Sequence, residues 1–507
     1  MHEHASGFTP PVQSRHVIYL VSPARLSLAR AELETLEGNE GANTTEDSLR
    51  IYGISLENGV HISVHLTCRL DDVRHILKSQ PTESVVLENR EPKAPSGFSK
   101  SVAGRALPAL LTVEGGRRLR KSSIFVVLPK FASTSQHAFA AGSLQLGGVI
   151  VDPPSMDSLL SSVCRGIHPP ERGKVALCLA GGGIEGLFYE LGVLRALDDC
   201  LGGRLIDFDI FSGISAGAII SACLVNGVRP KDLGDALKGR PSRIDPITRG
   251  MLFDPNVGEI VTRLSHAIKD LIRGEWLRKP IDTALRVAPN AIFSGDRLRW
   301  YLEKQFGKPG MTNDFFKLEK SLFIGATDQD TATHVTFGDH GFRDVPISHA
   351  VRASTAMTPY YPPEKIKGRY YIDGIFTRTI NLDVAVDHGA KLIICVDPLS
   401  PVNIDTPGYV SGRGGFFNTV QSIKSMIRTR LFEVIDRAEE AYPTVQVVVF
   451  SPTPRDLEKM SGTMMRFFYR TETEDMAYAS ASAQIKTDFP WLAADFERHG
   501  FRLKQPS

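Results

Sequence analysis

The chain has 507 residues, 42% of them apolar, and a formal net charge of +2 at neutral pH. That length exceeds one ordinary domain and predicts two or three, with enough apolar content for sizeable cores. The balanced charge and the lack of a basic stripe speak against a nucleic-acid partner. The six cysteines (Cys68, Cys164, Cys178, Cys200, Cys223, Cys395) are scattered without a C-x-x-C pair, which speaks for free buried thiols in a reducing compartment over disulfides or zinc.

Residues 1–15 read as a disordered N-terminus. The apolar run Val17–Val21 is too short for the core of a secretory signal, and no run approaches a membrane span. The expectation is a cytoplasmic chain whose membrane contact is at most peripheral. Residues 16–167 read as a small α/β domain, with a regulatory role as one reading. HVIYLV, GVHISVHL, SVVLEN, SIFVVL and LGGVIV are its strands; Asp71–Lys78 and Met156–Val163 are its helices, with acids in their first turns. Residues 91–100 are a Pro/Ser/Gly loop. The order near the end of this domain is similar to the second half of a response-regulator receiver. Glu88 and Asn89 stand where a receiver has its phosphorylated aspartate, so no phosphorylation is expected. An unrelated packing domain is the other reading.

The Pro-rich joint 166–174 marks a boundary. Val175–Leu179 is then a strand, Ile184–Leu201 a helix with Leu187, Leu191, Leu194 and Leu197 on one side, DFDIF (207–211) a second strand, and Ala216–Val225 a second helix. These are signs of parallel βαβ units. Residues 231–290 turn helical and basic, broken by prolines, as an insertion over a site or as packing helices. Strands follow at 322–327, 334–339, 370–375, 391–398 and 446–450, with a long helix at about 415–442 and a helical tail.

Three motifs carry chemistry. Gly213-Ile214-Ser215-Ala216-Gly217 is a G-x-S-x-G between an apolar strand and an apolar helix. A sharp turn there exposes Ser215, and small neighbours at Gly213 and Gly217 avoid clashes. A serine capping a glycine-flanked turn is the plainer alternative. Gly181-Gly182-Gly183-Ile184-Glu185-Gly186 follows a strand and opens a helix, so its N–H groups can face an anion. For acyl transfer that is an oxyanion hole. The same letters satisfy G-x-G-x-x-G, which points to a dinucleotide, but the acid that fingerprint needs at the end of the next strand is absent. Asp373-Gly374, after Tyr370-Tyr371-Ile372, is either a base at a strand end or an Asp-Gly hairpin turn.

GGGIEG, GISAG and DGI, with ASTAMTPYYPP ahead of the aspartate, resemble the patatin-like phospholipase family, of the bacterial type with an additional N-terminal domain. The resemblance covers roughly 174–400, with weaker continuity to about 490. It implies a three-layer α/β/α hydrolase domain with a mainly parallel sheet at 174–490, preceded by the smaller α/β domain. It further implies hydrolysis of lipid acyl esters by a Ser215–Asp373 dyad, with Gly181, Gly182 and Gly183 as the oxyanion hole, and neither metal nor cofactor. A partly buried carboxylate is basic enough to take the serine proton without a histidine. Two positions depart from the family: Glu185 stands where Arg or Lys is usual, and Ile375 where Gly or Ala follows the Asp-Gly pair. They motivate a second reading, a catalytically silent lipid-binding relative. His388 is the candidate for a triad instead of a dyad, while His334, His340 and His349 read as surface or core residues. In the helix around 416–434, Phe416, Val420, Ile423, Ile427, Leu431 and Val434 form one stripe, with Lys424, Arg428 and Arg430 off it. That pattern suits a core helix with a solvated basic face, or one lying on an anionic membrane. Phe467, Phe468 and Tyr469 between Arg466 and Arg470 raise the same question.

Overall fold

The computed structural model describes residues 15–36, 43–46, 49–55, 61–79, 82–88, 106, 123–128, 146–164, 171–256, 291–402, 407–442, 444–460 and 470–506, with isolated positions between 262 and 272. The expectations for residues 1–14, the loop at 91–100, most of the joint at 166–174, the stretch 257–290 and the aromatic cluster at 466–469 lie outside these residues. The chain forms two compact units, Met1–Pro170 with Lys486–Asp495, and Glu171–Ile485 with Phe496–Ser507.

The first unit has strands β1 (Arg15–Leu20), β2 (Asn43–Glu46), β3 (Leu49–Ser55), β4 (His61–Thr67), β5 (Thr82–Glu88), β6 (Ile124–Leu128) and β7 (Gly148–Val151). Its helices are α1 (Leu26–Glu34), α2 (Leu70–Ser79) and α3 (Met156–Val163). The strands form one sheet in the order β2-β3-β4-β1-β5-β6-β7. The last five run parallel, and the β2–β3 pair adds an antiparallel edge. Alternate residues of a strand face opposite sides. Val17, Tyr19 and Val21 accordingly meet Leu33 of α1 and Leu159, Leu160 and Val163 of α3. Ile18, Leu20, Val85 and Leu87 meet Val73, Ile76 and Leu77 of α2 on the other side. Among themselves the parallel strands stand second-first-third-fourth-fifth, a doubly wound order. β5 ends at Glu88, whose buried carboxylate accepts a hydrogen bond from the Tyr19 hydroxyl and lies 3.9 Å from Arg25. α1, β2 and β3 are the elements of this unit that sequence reasoning missed. In α1 only Ala29 and Leu33 are buried, and β2 is the polar NTTE, so neither carries an apolar period.

The second unit has strands β8 (Lys174–Leu179), β9 (Ile210–Ile214), β10 (Ser321–Asp328), β11 (Thr333–Phe337), β12 (Glu364–Ile366), β13 (Arg369–Asp373), β14 (Ala390–Val396) and β15 (Gln446–Phe450). Its longer helices are α4 (Gly183–Cys200), α5 (Ala216–Val225), α6 (Pro230–Leu237), α7 (Asp296–Phe306), α8 (Ile347–Ser354), α9 (Leu382–Asp387), α10 (Gly415–Ala441), α11 (Pro454–Lys459) and α12 (Arg470–Arg498), of which Lys486–Asp495 counts with the first unit. β10, β9, β8, β14 and β15 are parallel neighbours in that order. In chain sequence this is third-second-first-fourth-fifth, and the crevice beyond the carboxyl ends of β8 and β14 is the switch point where such sheets bind ligands. Ala176, Cys178, Ile210, Ile393 and Cys395 pack on α9 and α10 through Leu382, Ala385, Leu431 and Ile435. Leu179 points to the opposite side, against α5. The fold is thus α/β with helices on both sides of a mainly parallel sheet.

The second strand begins later than the pattern DFDIF suggests. Leu205–Asp207 is a 3₁₀ turn and β9 runs to Ile214, directly into Ser215. Asp209, outside the strand, accepts the Val175 N–H at 2.8 Å. The six cysteines are free and all but Cys68 are buried; burial pushes the Cys178 and Cys223 thiols up to about 12.

The helices on one side are joined by a buried charge. Glu474 of α12 pairs with Arg195 of α4 at 2.5 Å and with Lys238, just past α6, at 2.7 Å. Breaking a buried pair leaves the partners uncompensated. Glu474→Ala is therefore expected to lower the unfolding free energy by about 3 kcal/mol, measured by urea denaturation.

Candidate active site

Ser215 sits between β9 and α5 with φ 55° and ψ −119°. That region is sparsely populated for a side-chain-bearing residue and costs roughly 1–3 kcal/mol. The surroundings enforce it. A Cβ on Gly217 would stand 2.6 Å from the Cβ of Leu179, and one on Gly213 would stand 2.2 Å from the Gly217 carbonyl oxygen. Strand, turn and helix are packed too closely for any larger residue at either position. From the other side, the Ser215 N–H donates to Ser354 Oγ at 2.8 Å, and the Ser354 hydroxyl donates to the Gly325 carbonyl at 2.6 Å. Ser354, the last residue of α8, braces the turn against β10.

Asp373 reaches the same place through the sheet. β9 pairs with Ser321–Gly325 of β10, β13 pairs with Ala326–Asp328, and β11 pairs with Ile324–Asp328. Ile324 and Gly325 therefore bond to β9 and β11, and Ala326–Asp328 to β11 and β13. Since a strand has two edges, β9 and β13 lie on the same edge of β10, end to end. Gly325 is opposite Ile214 and Ala326 is opposite Asp373. Consecutive residues of one strand thus hold the residue before the serine and the aspartate. Gly374 completes the approach, because a Cβ there would lie 2.5 Å from the Gly325 carbonyl oxygen.

Asp373 is 0% exposed and Ser215 6%. One carboxylate oxygen of Asp373 accepts the Ile375 N–H at 3.0 Å, and the other, Oδ2, has no hydrogen bond of ordinary length. Burial pushes the carboxyl up to about 7, while the Ser215 hydroxyl and the Ile375 N–H favour its ionised form. The Asp373 carbonyl accepts from Thr327 Oγ1 at 3.0 Å, and Thr327, Thr377 and His334 continue a chain of contacts of 2.8 and 3.0 Å. Burial pushes the His334 imidazole down to about 4, so it is neutral at physiological pH.

The glycine loop closes the site at the end of β8. Gly181 abuts Ser215 and Ile375: a Cβ there would meet Ser215 Cβ at 3.0 Å and Ile375 Cδ1 at 3.1 Å. Pro398, after β14, presses on Gly182 and Gly186 from behind. Among the described residues, the N–H groups of Gly181, Gly182 and Gly183 take no backbone acceptor in a turn, loop or cap. They lie at the start of α4, where the helix dipole favours negative charge. Glu185, one turn in, is buried, and its charge acts on the buried Lys424 of α10, as does that of Asp397. The acid at this unusual position is thus electrostatically compensated from another helix. Ile375 joins Ile214, Leu399, Val420 and Ile427 in an apolar cluster, with Met357 and Ile423 packed on it.

The basic face of α10 is neither solvated nor free to lie on a membrane. Lys424 is buried among acids. Arg428 lies 3.6 Å from Asp397 and donates to Ser400 Oγ. Arg430 donates to the carbonyls of Ile375 and Phe376, each at 3.0 Å. The stripe reading holds for Val420, Ile427 and Leu431, which are buried, and the side chain of Phe416 lies outside the described residues. His388 is far from the serine. It follows α9 at the entry of β14, beside Phe323 and 3.3 Å from Asp339, whereas Ser215 follows β9 at the exit end of the sheet. His349 contacts Glu303 and Glu364, and His340 stacks on His388.

Sequence reasoning missed Ser354, Thr327 and Pro398, and read Arg430 only as part of a basic helix face. Only Ser354 had a visible signal, lying in the run ASTAMTPYYPP. Ser354→Ala strips a partner from the buried Ser215 N–H and the Gly325 carbonyl, and is expected to cost about 1–3 kcal/mol of stability, read by chemical denaturation.

VipD from Legionella pneumophila is similar at 16% identity over 62% of this chain and 67% of its own, with a TM-score of 0.29. ExoU is similar in two structures. In the ExoU–SpcU complex from the type III secretion system of Pseudomonas aeruginosa the identity is 17%, over 64% of this chain and 53% of that one, with a TM-score of 0.25. In the type III effector structure the values are 15%, 63%, 54% and 0.27. The chain thus spans about half the length of those two ExoU chains. The model of the patatin-like phospholipase family matches residues 177–386, the segment holding the glycine loop, Ser215 and Asp373, and the chain therefore carries a patatin-like phospholipase domain.

Proposed function

We propose that the protein hydrolyses carboxylic esters of lipids, in the manner of a phospholipase A or lysophospholipase, through a Ser215–Asp373 dyad. The observation that carries this reading is the shared edge of β10, which brings a strained serine and a buried carboxylate to consecutive positions of one strand. The Ser215 hydroxyl passes its proton to Asp373 Oδ2 as Oγ bonds to the ester carbon. Negative charge gathers on the carbonyl oxygen, and the N–H groups of Gly181, Gly182 and Gly183 receive it. The tetrahedral species collapses, the C–O bond to the alcohol breaks, and Asp373 returns its proton to the leaving oxygen. Water repeats the cycle on the acyl-serine, leaving free acid and regenerated Ser215. The apolar cluster around Ile375 suits an acyl chain, and catalysis in this scheme uses no metal or cofactor.

In this reading the second unit, 174–490 by the sequence boundaries, is catalytic and the N-terminal unit, 16–167, is regulatory. The substrate lies at a lipid surface and contact with it is peripheral; no helix among the described residues is long and apolar enough to cross a membrane. The burial of Ser215 and the contact of Ile375 with Gly181 favour a second reading, a lipid-binding relative without turnover. The dinucleotide reading has no support, since β9 ends at Ile214 and runs directly into Ser215, with no acid where that fingerprint needs one.

Ser215→Ala and Asp373→Asn are each expected to reduce fatty-acid release from a lipid panel by on the order of ten-thousand-fold. Retained release in Ser215→Ala sinks the dyad. Labelling of Ser215 by an organophosphonate counts against the silent relative. Asp373 acts as a base only when ionised, so kcat/KM should rise with pH through about 7. Stability runs the other way. The folded value of this carboxyl is raised above its unfolded one, so its contribution is full in acid and is lost as pH climbs through about 7. Asp373→Asn, folded and inactive, should therefore gain thermal stability over wild type at pH 8 and little at pH 4, as read by Tm at both values.

A further inference from the structure

We propose that Arg430 is a positioning residue for Asp373, holding the turn that follows the aspartate from the far side of the site. This rests on the dyad reading and names a further residue on which that site depends. Arg430 directly precedes Leu431, the first of the α10 residues that pack with β14 and β15, and its guanidinium reaches the loop 374–377. Nη2 takes the carbonyl of Ile375 and Nη1 the carbonyl of Phe376, both at 3.0 Å. Among the described residues no carboxylate pairs with it, and Nε has no partner. A half-buried cation spent on two adjacent carbonyls, with no anion to match, is an expensive way to tie a loop, because an arginine fork fixes orientation as well as distance.

One of the two carbonyls belongs to the residue that serves Asp373, and the other to its neighbour Phe376. The Ile375 N–H donates to Asp373 Oδ1 at 3.0 Å. Ile375 is therefore held at both ends, its N–H by the aspartate and its carbonyl by Arg430. Its side chain lies against the Gly181 backbone, so the same residue sets the orientation of the carboxylate and one wall of the anion loop. The groups acting on the carboxylate are the Ser215 hydroxyl and the Ile375 N–H. His334 reaches the Asp373 carbonyl through Thr377 and Thr327 and is neutral. Arg378, in the same loop, is turned to Asp383 at 2.9 Å. With the Ile375 N–H as one of two groups favouring ionisation, release of Ile375 raises the pH at which Asp373 becomes a base.

A control is built into the same interface. Thr379 Oγ1 donates to the Ile427 carbonyl at 3.2 Å, a second hydrogen bond between this loop and α10 that touches neither carbonyl. The experiment compares wild type with Arg430→Met, Arg430→Lys and Thr379→Val, reading kcat and KM for an acyl ester from pH 5 to 9 and Tm over the same range. Arg430→Met should move the acid limb of kcat/KM upward by on the order of one pH unit and lower kcat more than KM. Arg430→Lys, which reaches one carbonyl at a time, should fall between, and Thr379→Val should keep the wild-type limb. An unchanged limb in folded Arg430→Met overturns the proposal, as does an equal shift in Thr379→Val. If the methionine variant does not fold, a wild-type limb in Arg430→Lys overturns it. The Tm profile reads the Asp373 titration without turnover. Failure of the dyad reading, seen as hydrolysis surviving in Ser215→Ala, is thus distinguishable from failure of the Arg430 proposal, seen as a Tm profile that does not move.

Discussion

The site depends on one edge of one strand. β10 gives the first half of an edge to β9 and the second half to β13, and the junction falls between Gly325 and Ala326. Main-chain hydrogen bonds are the least adjustable part of a sheet, since slipping the register by one residue turns every side chain to the other face. Ser215 and Asp373 inherit that precision although they lie far apart in the chain. The strained conformation of Ser215 rests on the same strand, because Ser354 links its N–H to the Gly325 carbonyl. The strain, the brace and the carboxylate all refer to the same two residues of β10.

Electrostatics follow from burial. A carboxylate out of contact with water, with few donors, is held toward its neutral form, and this brings Asp373 to about 7. α10 supplies the order that such a dry site needs. Its polar face turns inward: Lys424 acts with Glu185 and Asp397, Arg428 meets Asp397 and Ser400, and Gln421 accepts the Val402 N–H at 3.1 Å. A helix that by periodicity alone belongs to the surface is in fact a roof over two loops of the site, apolar where it meets the sheet and ionic where it meets the loops.

Much of this was legible before the fold was known, because the turn, the glycine loop and the aspartate each carry a local chemical signature. Gly213 and Gly217 are demanded by close approach, and Asp373-Gly374 by the squeeze against Gly325. The parallel strands of both sheets stand out because buried parallel strands are continuous apolar runs. Other features have no local signature. α1 shows too narrow an apolar stripe, and the start of β9 is hidden by acids that belong to a preceding turn. The direction of Lys424, Arg428 and Arg430 is a matter of tertiary partners, and helical periodicity does not tell a basic side chain facing water from one facing a buried carboxylate.

The common edge of β10 also separates the geometry of the site from the length of the chain between its parts. The path leaves Ser215, travels to β10, departs again and returns through β13 to a place one residue along from where it began. Each excursion is a loop with both ends fastened to the same strand, and the entropy of closing such a loop grows only slowly with its length. Chain can be added or removed along either excursion while Ser215 and Asp373 keep their spacing. The sheet thereby acts as a fixed jig around which the rest of the unit is free to be remodelled, in a laboratory or by descent.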